Sequence, residues 1–218
     1  MKPSPALTVS LRLMKLYYAQ ATCSLAAHIA LREAGLAFTL CKYDMKSGLL
    51  DDGRPLLEVN PKGFVPVLEL DSGERLTEVA VVLQYIADQD PASGLLPAAG
   101  TLARYRVQEW LNFIATEIHK AYWPIFHDGA AIEVEKAHQK LGRNFAWVES
   151  QLGDKPYLTG GTCTVADLYL GVTLNWARAA KIDLARWPQL VAFRDRVRAR
   201  PAAQAAMEAE GLLKKKVG

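Results

Sequence analysis

The stretch Leu16–Gly35, LYYAQATCSLAAHIALREAG, decides how the chain is read. Its first residues are β-like, and Lys15 to Tyr18 reads as a strand. Small and polar residues then break the run. From Ser24 to Ala34 the apolar residues recur with helical period, and Gly35 stands where a helix C-terminal cap belongs. A thiol, Cys23, therefore sits at the corner between strand and helix. Free amide N–H groups and the helix dipole at such a corner favour a thiolate, a nucleophile or a partner in disulfide exchange. The same position suits a cysteine packed as filler beneath the first turn. The stretch alone leaves both readings open.

Working outward, Phe38 to Lys42 reads as a second strand, DMKSGLLDDGRP as loop, and Leu56 to Val59 as a short helical turn. Two strands, Val65 to Leu70 and Arg75 to Thr77, flank Asp71-Ser72-Gly73, a hairpin signal. A helix follows from Glu78 to Asp88, with Val81, Val82, Tyr85 and Ile86 expected on its buried side. The order β-α-β, then β-β-α, predicts a small mixed sheet carrying helices. DQDPASGLLPAAG then changes the composition to that of a linker. Beyond it the β signals stop. Helices are expected from Leu102 to about Ala121, Ile132 to Leu152, Trp187 to Arg198 and Ala202 to Glu210. Thr164 and Asp167 have the spacing of a helix N-cap with an acidic partner at its third residue. The predicted organisation is a loose extension (residues 1–13), an α/β domain (14–92), a linker (93–100) and an all-helical domain (101–218).

Half of the 218 residues are apolar, enough to bury a sizeable core, and mixed charges argue against disorder. The net charge of +3 owes much to Lys214-Lys215-Lys216, read as a solvated helix end. No basic patch alternates with aromatics, so nucleic acid is not an expected partner. The three cysteines form no C-x-x-C pair, which suits a reducing compartment. The four histidines make no metal signature, so no metal is expected. The N-terminal apolar stretch is short and interrupted by Arg12, so neither a signal peptide nor a membrane span is read there. A cytoplasmic protein is expected.

Three further features carry candidate chemistry. Pro66 stands inside a strand pattern, in FVPVLEL, where a proline costs a ladder donor. Ordinarily it would be a trans proline opening the strand. A cis bond would instead turn the chain and present the N–H and C=O of Val65 to an extended, peptide-like ligand. Glu78 starts a helix directly after a strand, so free amides for a ligand carboxylate meet an acid for a ligand ammonium. It equally suits the helix dipole. In WLNFIATEIHKAYW, helical spacing places Asn112, Thr116 and His119 along one polar stripe, which would line a cleft or face solvent.

In order and spacing, MKLYY…CSLAAHIALREAGL, EVNPKGFVPVLELDSGERLTE, RYRVQEWLNFIATEIHK, TVADLYL and EGLLK resemble the cytosolic glutathione transferases, specifically the bacterial beta class, from Met14 to about Leu213. The resemblance implies a thioredoxin-like N-terminal domain, an all-α C-terminal domain, and a homodimer. It implies glutathione as co-substrate, a small hydrophobic electrophile as second substrate, and a detoxification role. By position it assigns Cys23 and His119 to catalysis, with Pro66 as the family's cis-proline. It assigns Val65, Glu78, Val79, Asn112, Thr116, Glu117 and Lys120 to glutathione, some of the helix residues reaching the partner subunit's ligand. Trp176 falls beside the hydrophobic substrate pocket, which would also draw on Tyr122 and Phe126; all three read equally well as core. The Thr164–Asp167 cap matches a folding motif. The chain departs from the family pattern before the cysteine, where Ala19-Gln20-Ala21-Thr22 stands in place of the proline-glycine of many relatives, and at two further positions. Val79 offers a backbone N–H and no hydroxyl, and one hydrogen bond to a charged group is worth roughly 1.5–3 kcal/mol. Gly48 stands where some relatives place a lysine. A glutathione transferase is expected, with thiol transfer through Cys23 as a possible second activity. The alternative is a weakly catalytic or non-catalytic dimeric protein that binds ligands or acts as a redox regulator on the same fold.

Overall fold

The computed structural model describes residues 13–213. The lysine run read as a helix end lies outside them, as does all but the last residue of the N-terminal extension. The strand read at the start of the chain is β1 (Met14–Tyr18), the middle of a five-stranded sheet. It runs parallel to β2 (Phe38–Asp44) and antiparallel to β4 (Val67–Glu69). β5 (Arg75–Thr77) pairs with β4, and β3 (Leu49–Leu50) with β2, giving the order β3-β2-β1-β4-β5. Side chains of β1 alternate between faces. Leu16 and Tyr18 join the main core, and Tyr17 joins a second cluster with Cys41, Leu56 and Val67. A strand buried on both faces needs helices on both. α1 (Ser24–Glu33) and α3 (Val79–Gln89) cover one face, and α2 (Leu56–Val59) sits over the other.

The structure corrects four details. The loop expected at residues 44–55 holds β3, a two-residue edge strand too short to leave a pattern. The strand expected from Val65 begins only at Val67, because the Val65–Pro66 bond is cis and turns the chain. Val81 is exposed on α3, while Val79, Val82, Leu83, Ile86 and Ala87 are buried. That helix is apolar on nearly every side, so periodicity does not choose its face. The long helix after the linker is α4 (Leu102–Phe113), then a π-helical stretch (Ile114–His119) and a 3₁₀ turn (Lys120–Tyr122).

The regular elements that follow among the described residues are helical: α5 (Trp123–Phe126), α6 (Ala131–Leu152), α7 (Val165–Asn175), α8 (Pro188–Arg198) and α9 (Pro201–Ala209). The chain thus combines a thioredoxin-like sheet-and-helix domain with an all-helical one. α7 is buried along Val165–Leu174 and runs against α8. Gly171 permits that approach, since a Cβ there would meet Val197 Cγ1 at 2.8 Å. The start of α7 is fixed as its sequence suggested. Asp167 Oδ2 accepts from the Thr164 N–H and hydroxyl, both at 2.7 Å, and Oδ1 accepts from Leu158 N–H at 2.8 Å. The connection into the helical half is itself packed: Leu95 is buried, and its carbonyl accepts from Val165 N–H at 3.0 Å. α1 packs on α7 and α9, so the Cys23 corner lies where the two halves meet.

Candidate active site

Cys23 is the residue before α1, and its side chain is buried. Its Sγ donates to the Val65 carbonyl at 3.3 Å. Burial pushes the thiol up to about 12. The backbone amides of Cys23 and Ser24 and the Lys120 ammonium pull it down, and Glu78 adds to the rise. The lowered thiol pKa expected from the helix start is therefore overturned. The amides are present, but desolvation outweighs them, and Cys23 in the free protein is a neutral thiol.

The residues just before Cys23, Gln20 and Ala21, are held by the helical half of the chain. Ala21 has φ 62°. Its N–H donates to Glu210 Oε2 at 3.3 Å, and its carbonyl accepts from Trp176 Nε1 at 2.9 Å. Gln20 Nε2 donates to the Glu210 carbonyl at 2.6 Å. Glu210 itself is buried beside His28, with Oε1 at 2.9 Å from Nδ1. Glu210 lies in the EGLLK segment of the resemblance, yet nothing local in sequence points from it to a loop 190 residues away.

Across from Cys23, the Val65–Pro66 turn and the β5–α3 corner enclose a cavity of about 190 Å³. Cys23, Val65, Glu78, Val79, His119 and Lys120 all line it. Among the described residues, the Val65 N–H donates to no protein group. The first amides of α3 lack intrahelical partners by construction. Glu78 caps that helix at φ 68°, a conformation worth about 1–3 kcal/mol of strain for a residue with a side chain. Its exposed carboxylate pairs with Lys62 Nζ at 2.7 Å. Val79 is buried in the main core and lines the cavity. Gly48 closes a turn at φ 76°, its N–H bonded to the Asp44 carbonyl at 2.9 Å, and it lines neither this cavity nor the one below.

The polar stripe of Asn112, Thr116 and His119 does not form. The π-helical stretch Ile114–His119 changes the residues per turn and breaks the spacing on which that stripe rests. His119 turns inward. Asn112 and Thr116 are exposed and line neither cavity. Glu117 is held elsewhere, 2.9 Å from Lys140 Nζ. Lys120 does face the site, its Nζ 5.6 Å from the Phe64 ring centroid and 5.3 Å from that of Trp123. His119 Nδ1 lies 2.6 Å from the Tyr169 hydroxyl. Burial first, then the neighbouring Lys120 charge, lowers His119 to about 4, and burial raises Tyr169. With the phenol as donor to Nδ1, the neutral ring carries its own hydrogen on Nε2. Tyr169 was legible in TVADLYL only as helix core.

On the other side of Cys23 and His119 lies a second cavity of about 650 Å³. Tyr122, Phe126 and Trp176 form an aromatic wall: Tyr122 stacks on Phe126 at 5.6 Å and meets Trp176 edge-on at 5.3 Å. The Trp176 ring stands 5.0 Å from that of His119. The structure thus brings Cys23, His119, Val65, Glu78, Val79, Lys120, Tyr122 and Trp176 around two adjoining cavities, and leaves Asn112, Thr116 and Glu117 outside them. Among the described residues no three His, Cys, Asp or Glu side chains converge as metal ligands would. None of their helices is long and apolar enough to cross a membrane.

Residues 22–89 match the family model of the glutathione S-transferase N-terminal domain, and residues 113–201 that of the C-terminal domain. Glutathione S-transferase GstA of Escherichia coli O157:H7 is 42% identical over 200 residues, 91% of this chain and 100% of that protein. A sphingomonad glutathione S-transferase solved with glutathione superposes with a TM-score of 0.88 at 43% identity, covering 91% of this chain and 100% of the other. A bacterial beta class glutathione S-transferase from Sphingomonas chungbukensis gives 0.88 at 42%, over the same shares. With both family domains matched and such relatives aligned along nearly all of its length, the chain belongs to the glutathione S-transferase family.

Proposed function

We propose that the protein conjugates the thiolate of glutathione to small hydrophobic electrophiles, with the smaller cavity holding glutathione and the larger one the electrophile. The observation that carries this reading is the convergence of a thiol, an unpaired Val65 N–H, and the free amides of a helix start on one small cavity that opens beside an aromatic one. An extended peptide-like molecule fits that donor set. Val65 would pair with its cysteinyl backbone, the amides at Val79 would take its γ-glutamyl carboxylate, and Glu78, shared with Lys62, its ammonium.

Ordinary thiols are mostly protonated at neutral pH, so stabilising the glutathione thiolate is the main task. Cys23 does this as a neutral thiol: its S–H, spent on the Val65 carbonyl in the free protein, turns to the glutathione sulfur. His119 Nε2–H and the Lys120 charge act in the same direction. The thiol proton leaves to solvent, the sulfur attacks the electrophilic carbon, and the leaving group departs with its electron pair. Thiol transfer through Cys23 is a slower second activity, because it first needs Cys23 as thiolate. The exposed Phe64, Leu102 and Tyr105, which a monomer leaves in water, support a homodimer. Three unpaired cysteines support a cytoplasmic setting, and detoxification is the corresponding role.

Assaying glutathione conjugation to chlorodinitrobenzene with the wild type and Cys23→Ala tests the reading. The wild type turns over, and the variant retains conjugation with a lower kcat at neutral pH and a raised KM for glutathione while losing mixed-disulfide formation. Absence of conjugation together with glutathione binding would leave a binding protein instead.

A further inference from the structure

The larger cavity has a charge bias that a site for purely hydrophobic electrophiles does not need. Among the described residues three arginines line it, Arg178, Arg194 and Arg198, and no aspartate or glutamate does. Arg194 is neutralised by Asp195 at 2.7 Å. Arg178 and Arg198 are exposed and have no acidic partner among the described residues. They come from the segment after α7 and from α8, whereas Cys23 comes from the start of α1. Aromatic side chains lie deeper: Tyr122 is buried, and Trp176 is partly so. The cavity therefore has a reactive corner, an aromatic wall and a cationic rim.

A second, independent observation concerns hydrogen bonding. The Tyr122 hydroxyl and the Asn175 amide oxygen are buried, and neither has a partner. Both residues line this cavity. Burial keeps the Tyr122 phenol protonated, so it is a donor in want of an acceptor. An apolar ligand beside it would leave that donor unmet, whereas an oxygen-bearing ligand would meet it.

We propose that this cavity selects electrophiles that carry a carboxylate on an aromatic or conjugated body. An oxygen substituent on that body meets the Tyr122 hydroxyl, the ring lies against Phe126 and Trp176, and the carboxylate is drawn to Arg178 and Arg198. This rests on the transferase reading for its chemistry: the glutathione sulfur forms a C–S bond at the electrophilic carbon, and the leaving group takes the electrons of the bond that breaks.

The test compares an anion with its neutral counterpart. Dinitrobenzoate and its methyl ester, which lack a leaving group, are titrated against tryptophan fluorescence in the presence of S-methylglutathione. The wild type binds the acid about 5- to 10-fold more tightly, the range of two solvent-exposed charge pairs. In the Arg178→Gln/Arg198→Gln double variant the acid-to-ester ratio falls to about one, and high salt lowers it in the wild type. Equal binding of acid and ester by the wild type, or an unchanged ratio in the double variant, overturns the proposal. Turnover of chlorodinitrobenzoate and its ester is followed in parallel. If neither reacts while both analogues bind, the transferase reading fails, and the quenching ratio still decides the selectivity.

Discussion

The inward turn of His119 makes a prediction that can be worked through in numbers. Its imidazole falls from 6.5 to about 4, chiefly because burial disfavours the charged ring. A folded-state value below the unfolded one means the unfolded chain binds the proton first as pH drops. The contribution is therefore intact above the unfolded value and is lost as pH falls toward the folded one. At about 1.36 kcal/mol per unit, the loss is roughly 2 kcal/mol at about pH 5, close to zero at about pH 7.5, and about 3 kcal/mol once both states are protonated. His119→Asn removes the titration while its amide oxygen can still accept from Tyr169. Urea unfolding of both proteins at the two pH values, with fluorescence and circular dichroism transitions coinciding, isolates the term. The wild type should lose about 2 kcal/mol more than the variant on going to the lower pH. Parallel losses, or an NMR titration of His119 near its ordinary value, would refute the reasoning, and with it the picture of a neutral imidazole between the two cavities.

Other outcomes follow from the same geometry. Since burial holds Cys23 as a thiol, its alkylation in the free protein should rise about tenfold per pH unit from roughly pH 7 to 10; a plateau below about pH 8 contradicts this. Glu210→Gln leaves a buried N–H of Ala21 or His28 short of an acceptor, costing about 1–3 kcal/mol in chemical denaturation and speeding Cys23 alkylation as the loop loosens. Asp167→Asn turns an N–H toward the donors of Leu158 or Thr164 at the start of α7, with a loss of about 1–3 kcal/mol; an unchanged unfolding midpoint would show that this cap is dispensable.

Much of the fold was legible because its signals are local. β1, α1, the hairpin about Asp71-Ser72-Gly73 and the Thr164 cap each rest on a few neighbouring residues whose chemistry admits one geometry. What escaped depends on distant partners. β3 exists only because β2 offers an edge to Leu49 and Leu50. The exposure of Val81 depends on which side of an all-apolar helix meets the core. In the site, spacing placed Cys23 and Glu78 at helix starts, but the sign of the Cys23 shift depends on how deeply it is buried, which no residue type announces. The π-helical stretch undid the Asn112–Thr116–His119 stripe, because helical-wheel reasoning assumes a constant number of residues per turn. Glu210 and Tyr169 support Cys23 and His119 from elsewhere in the chain, and their importance shows only once the chain is folded.

The most direct test of the central claim is a calorimetric titration of the purified protein with glutathione, with Cys23 alkylation followed across the same range. Saturable binding at roughly 1 mM or below, one glutathione per chain, with Cys23 shielded as the site fills, is the result the account predicts. No binding heat at that concentration, or binding that leaves Cys23 alkylation unchanged, would contradict it.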